Sequence, residues 1–405
     1  MQRVKNFVNK IFKYAVDKPY SLLILYLTLA VVVSVQNYLL PQKMLGGSLH
    51  TEYNNYLIFK QSFFHLVHGQ NLYQAYPSEH WDLYKYSPTF SLFFAPFALL
   101  PDILGLILWN GLNVAVLFWG VRMLPGLKVT QTTKIFLFVL FELLTALQNT
   151  QSNILMAGLL IGGIALMERK NYSGAIICLM ATVFIKIFGA IGFALLLFYP
   201  FKIKMVSRGI IAFIIFLAAP LVIVSVPQLI KLYESWWNLL INDGDVANCL
   251  SITCWIKSWF DFEANKKMVV LLGLIPLLAP FLFLKRFNSY AYRINVLSAT
   301  LLWMVIFNHK AESPGFIIAV CGAALWYFSK PRGTADLILI TLVFVFTTLA
   351  PTDLFPGFIR EEYLKPFRIK LVPCLLIWIR IVSETLVWPK EMLENDELKN
   401  NLSLT

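Results

Sequence analysis

The residues of this 405-residue chain that could do chemistry fall in a few polar stretches between long apolar runs. The longest stretch without a membrane-spanning signal runs from Glu52 to Pro101. In it Gln70, Asn71, Glu79, His80, Asp82 and Lys85 alternate with Tyr73, Tyr76, Trp81, Tyr84 and Tyr86. Aromatic faces beside carboxylates and amides suit a sugar or a lipid headgroup at a membrane surface. The same pattern without chemistry would be an aromatic belt. Four smaller clusters follow: the tip Gln148–Asn153, an isolated Lys186, the segment 227–267 with Trp236, Asp243, Asp245 and Trp255, and the tip Asn308–Ser313. Each has a plain reading: amides capping helix ends, a snorkelling lysine, a hydrated turn. Together they place two cations (Lys186, Lys310), His309 and several amides where an anionic lipid carrier would need them.

Composition says what must position these residues. Hydrophobic residues make up 58% of the chain and charged residues 14%, against roughly 25% charged in a soluble domain. The chain reads as an all-α polytopic membrane protein. The net charge of +12 is scattered in short clusters between apolar runs, the distribution that orients a membrane protein rather than one that binds nucleic acid.

In chain order, residues 1–20 read as a cytoplasmic amphipathic helix and 21–388 as the polytopic domain. The residues after Trp388 (389–405) read as a solvated acidic tail. Spans are expected at about 21–40, 104–121, 134–147, 154–167, 174–185, 188–200, 208–226, 268–284, 294–308, 314–328, 335–350 and 369–386, twelve in all. Within a first outer loop, 41–103, residues 53–68 have helical periodicity with Gly69 as the stop. Phe90–Leu100 is too short to cross and reads as re-entrant or interfacial. A second large outer loop is 227–267. The short loops 122–134, 168–172, 201–208, 285–293 and 329–333 are all basic, which puts them and both termini in the cytoplasm. The polar clusters then share the opposite face.

Glu142 lies within a span, where a carboxylate is a functional suspect, either protonated or bonded to a neighbouring helix. Arg380 and Glu384, at i, i+4 spacing, could pair with each other as a structural element. Cys178, Cys321 and Cys374 sit in apolar runs as small core residues. Cys249 and Cys254 could form a disulfide if their loop faces an oxidising compartment. Asp243-Gly244-Asp245 has Asp-x-Asp spacing but reads as a tight turn. The sequence has no Gly-rich phosphate loop.

The order of these motifs resembles glycosyltransferase family 87, polytopic mannosyltransferase-like enzymes of the GT-C fold. The likeness is carried by Gly69-Gln70-Asn71-Leu72-Tyr73, Tyr86-Ser87-Pro88 with its Leu-Pro stop, Thr150-Gln151-Ser152-Asn153-Ile154-Leu155 and the isolated Lys186. It covers about Glu52 to Ser313. The runs Asn54–Lys60 and Asn308–Pro314 look like the branch found in Bacteroidetes-type bacteria. The family's acid near the start of the first outer loop falls here on Asn54 or Asn55, with Glu52 the nearest acid. The glycine of its Gly-Gln-x-Asn falls on Thr150.

The resemblance implies an inverting hexosyltransferase in a bacterial inner membrane, with a periplasmic site. It would move a mannose-like sugar from a polyprenyl-phosphate donor to a lipid-linked or cell-envelope glycan. Glu52 or Asp82 would be the base. Lys186, with His309 or Lys310, would hold the departing phosphate. Asn55, Tyr73, Tyr86, Gln151, Asn153 and Glu312 would line the substrates. The expected partners are membrane lipid, the donor and the acceptor glycan, with no metal, cofactor or nucleic acid. The alternatives are a polyprenyl-lipid or glycan transporter without transferase activity, or a non-catalytic membrane scaffold.

Overall fold

Long apolar runs with few breakers fold as helices. The computed structural model, which describes residues 2–18, 20–200, 202–242 and 249–388, is helical nearly throughout. The helices, in order, are α1 (Gln2–Asp17), α2 (Ser21–Leu39), α3 (Asn54–Val67), α4 (Pro88–Phe93), α5 (Ala95–Ala98), α6 (Asp102–Met123), α7 (Val129–Gln148), α8 (Asn153–Glu168), α9 (Tyr172–Ile185), α10 (Lys202–Ala218), α11 (Val226–Asn242), α12 (Ile252–Phe260), α13 (Lys266–Leu278), α14 (Tyr290–Ile306), α15 (Phe316–Phe328), α16 (Thr334–Leu342), α17 (Gly357–Ile359) and α18 (Val372–Leu386). Asp243, Asp245, Asn248 and the tail 389–405 lie outside the described residues.

Among the described residues, α2, α6, α7 and the segment Ile203–Val222 are each long and apolar enough to cross a membrane. Six further apolar helices are shorter, among them Asn153–Glu168, Tyr172–Ile185 and Tyr290–Ile306. This is an all-helical membrane protein. Two expected segments depart from the α-helix. Ile187–Phe198 is a 3-10 helix, and α16 continues as a π-helix over Val343–Leu349. One element was not expected at all: β1 (Lys43–Leu45) pairs antiparallel with β2 (Ser48–His50), Met44 opposite Leu49, around a Gly46-Gly47 turn.

The chain divides into two compact units. The first comprises Met1–Pro125, Leu143–Ala190 and Ile203–Gly244; the second comprises Gly126–Glu142, Ile191–Lys202 and Asp245–Thr405. In the first unit α6 packs on α2 and α8, and α8 on α9. Its core is aromatic. The Phe59 ring meets Tyr86, Phe90, Phe94 and Trp109 edge-on at centroid distances of 4.8, 5.1, 5.4 and 5.7 Å. Edge-to-face contacts of this kind add to area burial. In the second unit α14 packs against α15 and α18.

The long loop ends as its residues predict. Gly69 adopts φ +71°, a left-handed conformation open to glycine, and its N–H and that of Gln70 donate back to Leu66 and His65. That is a helix C-cap made by a glycine. Ser87 caps α4: its Oγ accepts from the Phe90 N–H at 3.2 Å, with Pro88 at the first helical position. Phe90–Leu100 folds as the two short helices α4 and α5, neither long enough to span.

Candidate active site

In the first unit the tip between α7 and α8 is held by side chains from three other segments. Asn37 of α2 donates to the Gln148 carbonyl at 2.7 Å and to the Glu52 carbonyl at 3.4 Å. Asn55 of α3 donates its amide to the Asn149 carbonyl at 2.9 Å. Thr150 accepts the Tyr56 N–H on its Oγ1 at 3.2 Å, and its carbonyl accepts from the Trp109 indole at 2.9 Å. Thr150 is fully buried with φ +52°. A β-branched residue is strained in that region, which accounts for a glycine being the residue expected there. The two hydrogen bonds offset the strain.

Lys186 meets this tip. The α9 helix ends at Ile185, Lys186 is extended (φ −142°, ψ 121°), and the 3-10 helix starts at once. The reversal is tight because Gly189 lies against Thr182: a Cβ there would sit 2.6 Å from Thr182 Oγ1. The turn aims the Lys186 ammonium at Asn153 Oδ1, 2.7 Å away, and Asn153 Nδ2 in turn donates to Gln151 Oε1 at 2.6 Å. The ammonium also lies 5.6 Å from the centre of the Tyr86 ring, within cation–π range. Tyr86 is tied down by the Ser152 hydroxyl at 3.3 Å, and its carbonyl accepts from the Tyr73 hydroxyl at 2.9 Å. Ser87 donates to the Phe184 carbonyl, which locks the start of α4 to the end of α9. Thus Tyr86, Gln151, Asn153 and Lys186 are brought together. Tyr73 is buried behind Tyr86 rather than beside the lysine.

The two carboxylates differ in setting. The Glu52 side chain is exposed, and its backbone is tied through Asn37 to the tip. Asp82 accepts from the Leu83 N–H at 2.7 Å and lies 3.3 Å from the Lys85 ammonium. Its neighbour Trp81 donates its N–H to Asn54 Oδ1 at 3.2 Å and stacks on His50. Asn54 is therefore committed to holding the loop. Asn55 does what a carboxylate could not, donating to a carbonyl. Elsewhere in the loop, His65 Nε2 lies 2.9 Å from Glu79 Oε2, and His65 stacks on Tyr76 at 3.8 Å. Burial drives the His65 pKa down to about 4 and raises that of Glu79.

In the second unit the tip after α14 carries His309, Lys310 and Glu312, all half-buried. Asn308 Oδ1 accepts from the Lys310 N–H at 3.1 Å. The Ala311 carbonyl accepts from the Leu250 N–H at 2.7 Å. Leu250 lies inside the loop closed by a Cys249–Cys254 disulfide, Cα–Cα 6.0 Å. Glu142 is bonded, but to a residue sequence reasoning missed. The Lys370 ammonium donates to its two oxygens at 2.8 and 3.1 Å and to Ser313 Oγ at 2.8 Å. A lysine set just inside the last apolar run, after Lys365 and Arg368, was the available signal. Arg380 and Glu384 do not pair with each other. Arg380 bonds Asp336 at 2.9 Å, while Glu384 binds Lys330, Arg332 (2.7 Å) and the Trp326 indole (3.0 Å). Tertiary partners in a desolvated pocket outcompete the exposed i, i+4 neighbour.

The sequence profile of glycosyltransferase family 87 matches residues 84–352, more than half of the chain. The chain belongs to this family. It is therefore a membrane glycosyltransferase. No curated protein matches the chain. The family 87 match takes in Tyr86, Gln151, Asn153, Lys186, His309, Lys310 and Glu312. It begins after Glu52, Asn55, Tyr73 and Asp82, and it ends before Lys370. The transporter alternative finds no support in this family.

Proposed function

We propose that this family 87 member is an inverting transferase that takes a hexose, mannose-like, from a polyprenyl-phosphate sugar. The acceptor is a lipid-linked or cell-envelope glycan on the outer face of a bacterial inner membrane. In this reading about twelve segments traverse the bilayer in a GT-C-like arrangement, both termini are cytoplasmic, and the reaction uses neither metal nor cofactor. A base takes the proton of an acceptor hydroxyl, the acceptor oxygen bonds to the anomeric carbon from the opposite face, and the bond from that carbon to the phosphate oxygen breaks. Polyprenyl phosphate leaves with an extra negative charge, which a cation stabilises.

The observation that carries the reading is the Lys186–Asn153 contact of 2.7 Å. Asn153 accepts this bond as a neutral amide, so the contact fixes where the ammonium sits. An ammonium fixed at a turn beside an aromatic face can donate a charge-assisted hydrogen bond to a phosphate oxygen. Glu52 is the preferred base: its carboxylate is exposed, whereas Asp82 is engaged by Lys85. Asn55 and Gln151 order the tip, Tyr86 offers a face beside the cation, and Tyr73 backs it. From the family resemblance, His309, Lys310 and Glu312 of the second unit are assigned as further contacts to donor or acceptor.

The test is a transfer assay with purified protein, offering radiolabelled hexose on polyprenyl phosphate or on a nucleoside diphosphate. Label should reach a glycolipid acceptor from the first donor alone. Transfer from the nucleotide sugar would contradict the proposal.

A further inference from the structure

A charged pair buried among apolar helices is costly to keep and needs a reason. Glu142 is fully buried and Lys370 is 6% exposed. The Lys370 ammonium donates to both Glu142 oxygens and to Ser313 Oγ, and it lies 5.1 Å from the centre of the Phe316 ring. Its own backbone is fixed as well, since its carbonyl accepts from the Thr347 hydroxyl at 2.7 Å. An ammonium with this many partners is spent; it has little left to offer a substrate. What it holds is the end of the tip 308–313. Ser313 follows Glu312 directly and opens the turn Ser313–Gly315 that leads into α15. Toward the middle of the same tip, the Ala311 carbonyl is held by Leu250 of the disulfide loop. The tip is thus gripped at two points two residues apart. Lys310 and Glu312 flank the first, and Glu312 lies between the two.

We propose that the Glu142–Lys370 pair is a positioning element for this tip, acting through the Lys370–Ser313 hydrogen bond. It keeps His309, Lys310 and Glu312 in one arrangement. The consequence for donor binding rests on the function proposed above; the tethering itself does not. Lys370 lies in the 3-10 turn Ile369–Leu371 just before α18, beyond the residues matched by the family profile.

The test separates the two. Ser313→Ala removes the tether and leaves the ion pair in place, so the protein should fold; Ser313→Thr keeps a hydroxyl. Hydrogen exchange of the peptide spanning 308–313 reads the tip without any substrate. Exchange should quicken in Ser313→Ala by about ten- to a hundredfold, the worth of one hydrogen bond to a charged group, and should return toward wild type in Ser313→Thr. Lys370→Met should do the same or more. Kinetics with the polyprenyl-phosphate hexose should show KM raised in Ser313→Ala with kcat less affected. Unchanged exchange in Ser313→Ala would overturn the tether. Faster exchange with an unchanged donor KM would uphold the tether and count against placing this tip in the donor site.

Discussion

Lys186 and Asn153, thirty-three residues apart, meet through a 2.7 Å hydrogen bond from the ammonium to the amide oxygen. Two local devices make the meeting possible. The α9 helix stops at Ile185 and reverses against Gly189, and the α7–α8 tip is pinned by Asn37, Asn55 and Tyr56. Everything proposed about donor binding depends on this pair.

The tip's own stability can be probed at Thr150. Thr150→Val keeps the strained φ and leaves the Tyr56 N–H without its acceptor, a loss of roughly 1–3 kcal/mol. Thr150→Gly loses the same bond but relieves roughly 1–2 kcal/mol of left-handed strain. Thermal unfolding in detergent should therefore place valine below both wild type and glycine. A valine variant as stable as wild type would mean that the hydroxyl bond carries no weight.

Acid should loosen the long loop. The His65 pKa, about 4 when folded, lies below the ordinary value of 6.5 because burial disfavours its charged form. Between these values the unfolded state binds more protons, so stability is lost as pH falls from about 6.5 to about 4. Glu79, whose pKa burial raises, takes up protons more readily when folded and works against this loss. The groups facing His65 are Glu79, Tyr76, His68 and His80. Hydrogen exchange over 65–80 should quicken across that window in wild type and depend less on pH in His65→Phe, with His80, whose pKa burial also lowers, supplying what remains. A flat profile in wild type would remove the histidine from the account.

The loop helix α3, its Gly69 stop and the helix break at Lys186 were all legible, because each depends on local pattern: a period, a left-handed glycine, one cation between two apolar runs. The partners were not legible. Nothing in a period announces that Asn153 is the acceptor for Lys186, or that Glu384 would leave Arg380 for Arg332 and Lys330. Such choices are made by packing between segments far apart in sequence. The Gly46-Gly47 hairpin had a readable turn, but its three-residue strands are too short to show alternation.

Base identity is separable by substitution. Glu52→Gln should cost roughly 10²–10⁴-fold in kcat, the range for a general base, with donor affinity nearly intact. Asp82→Asn, which disturbs the Lys85 contact, the field at His80 and a local turn, should cost far less. The reverse ranking would move the base to Asp82, and full activity in both variants would end the acid–base proposal.

Sidedness follows from the same reading. A membrane-impermeant thiol reagent applied from outside should reach cysteines engineered at Gln151 or Ser313 but not at Lys170 or Arg332. Labelling at Lys170 from outside would reverse the face assigned to the reaction.

The most direct measurement is the affinity of wild type and Lys186→Ala for a polyprenyl-phosphate hexose, read by titration in detergent on protein shown to be folded. The account predicts a loss of roughly 1.5–3 kcal/mol, the worth of a hydrogen bond to a charged group, with Lys186→Arg retaining part of it. Undiminished donor affinity in a well-folded Lys186→Ala protein would contradict the account and leave Lys186 as a lysine that merely reaches for the membrane surface.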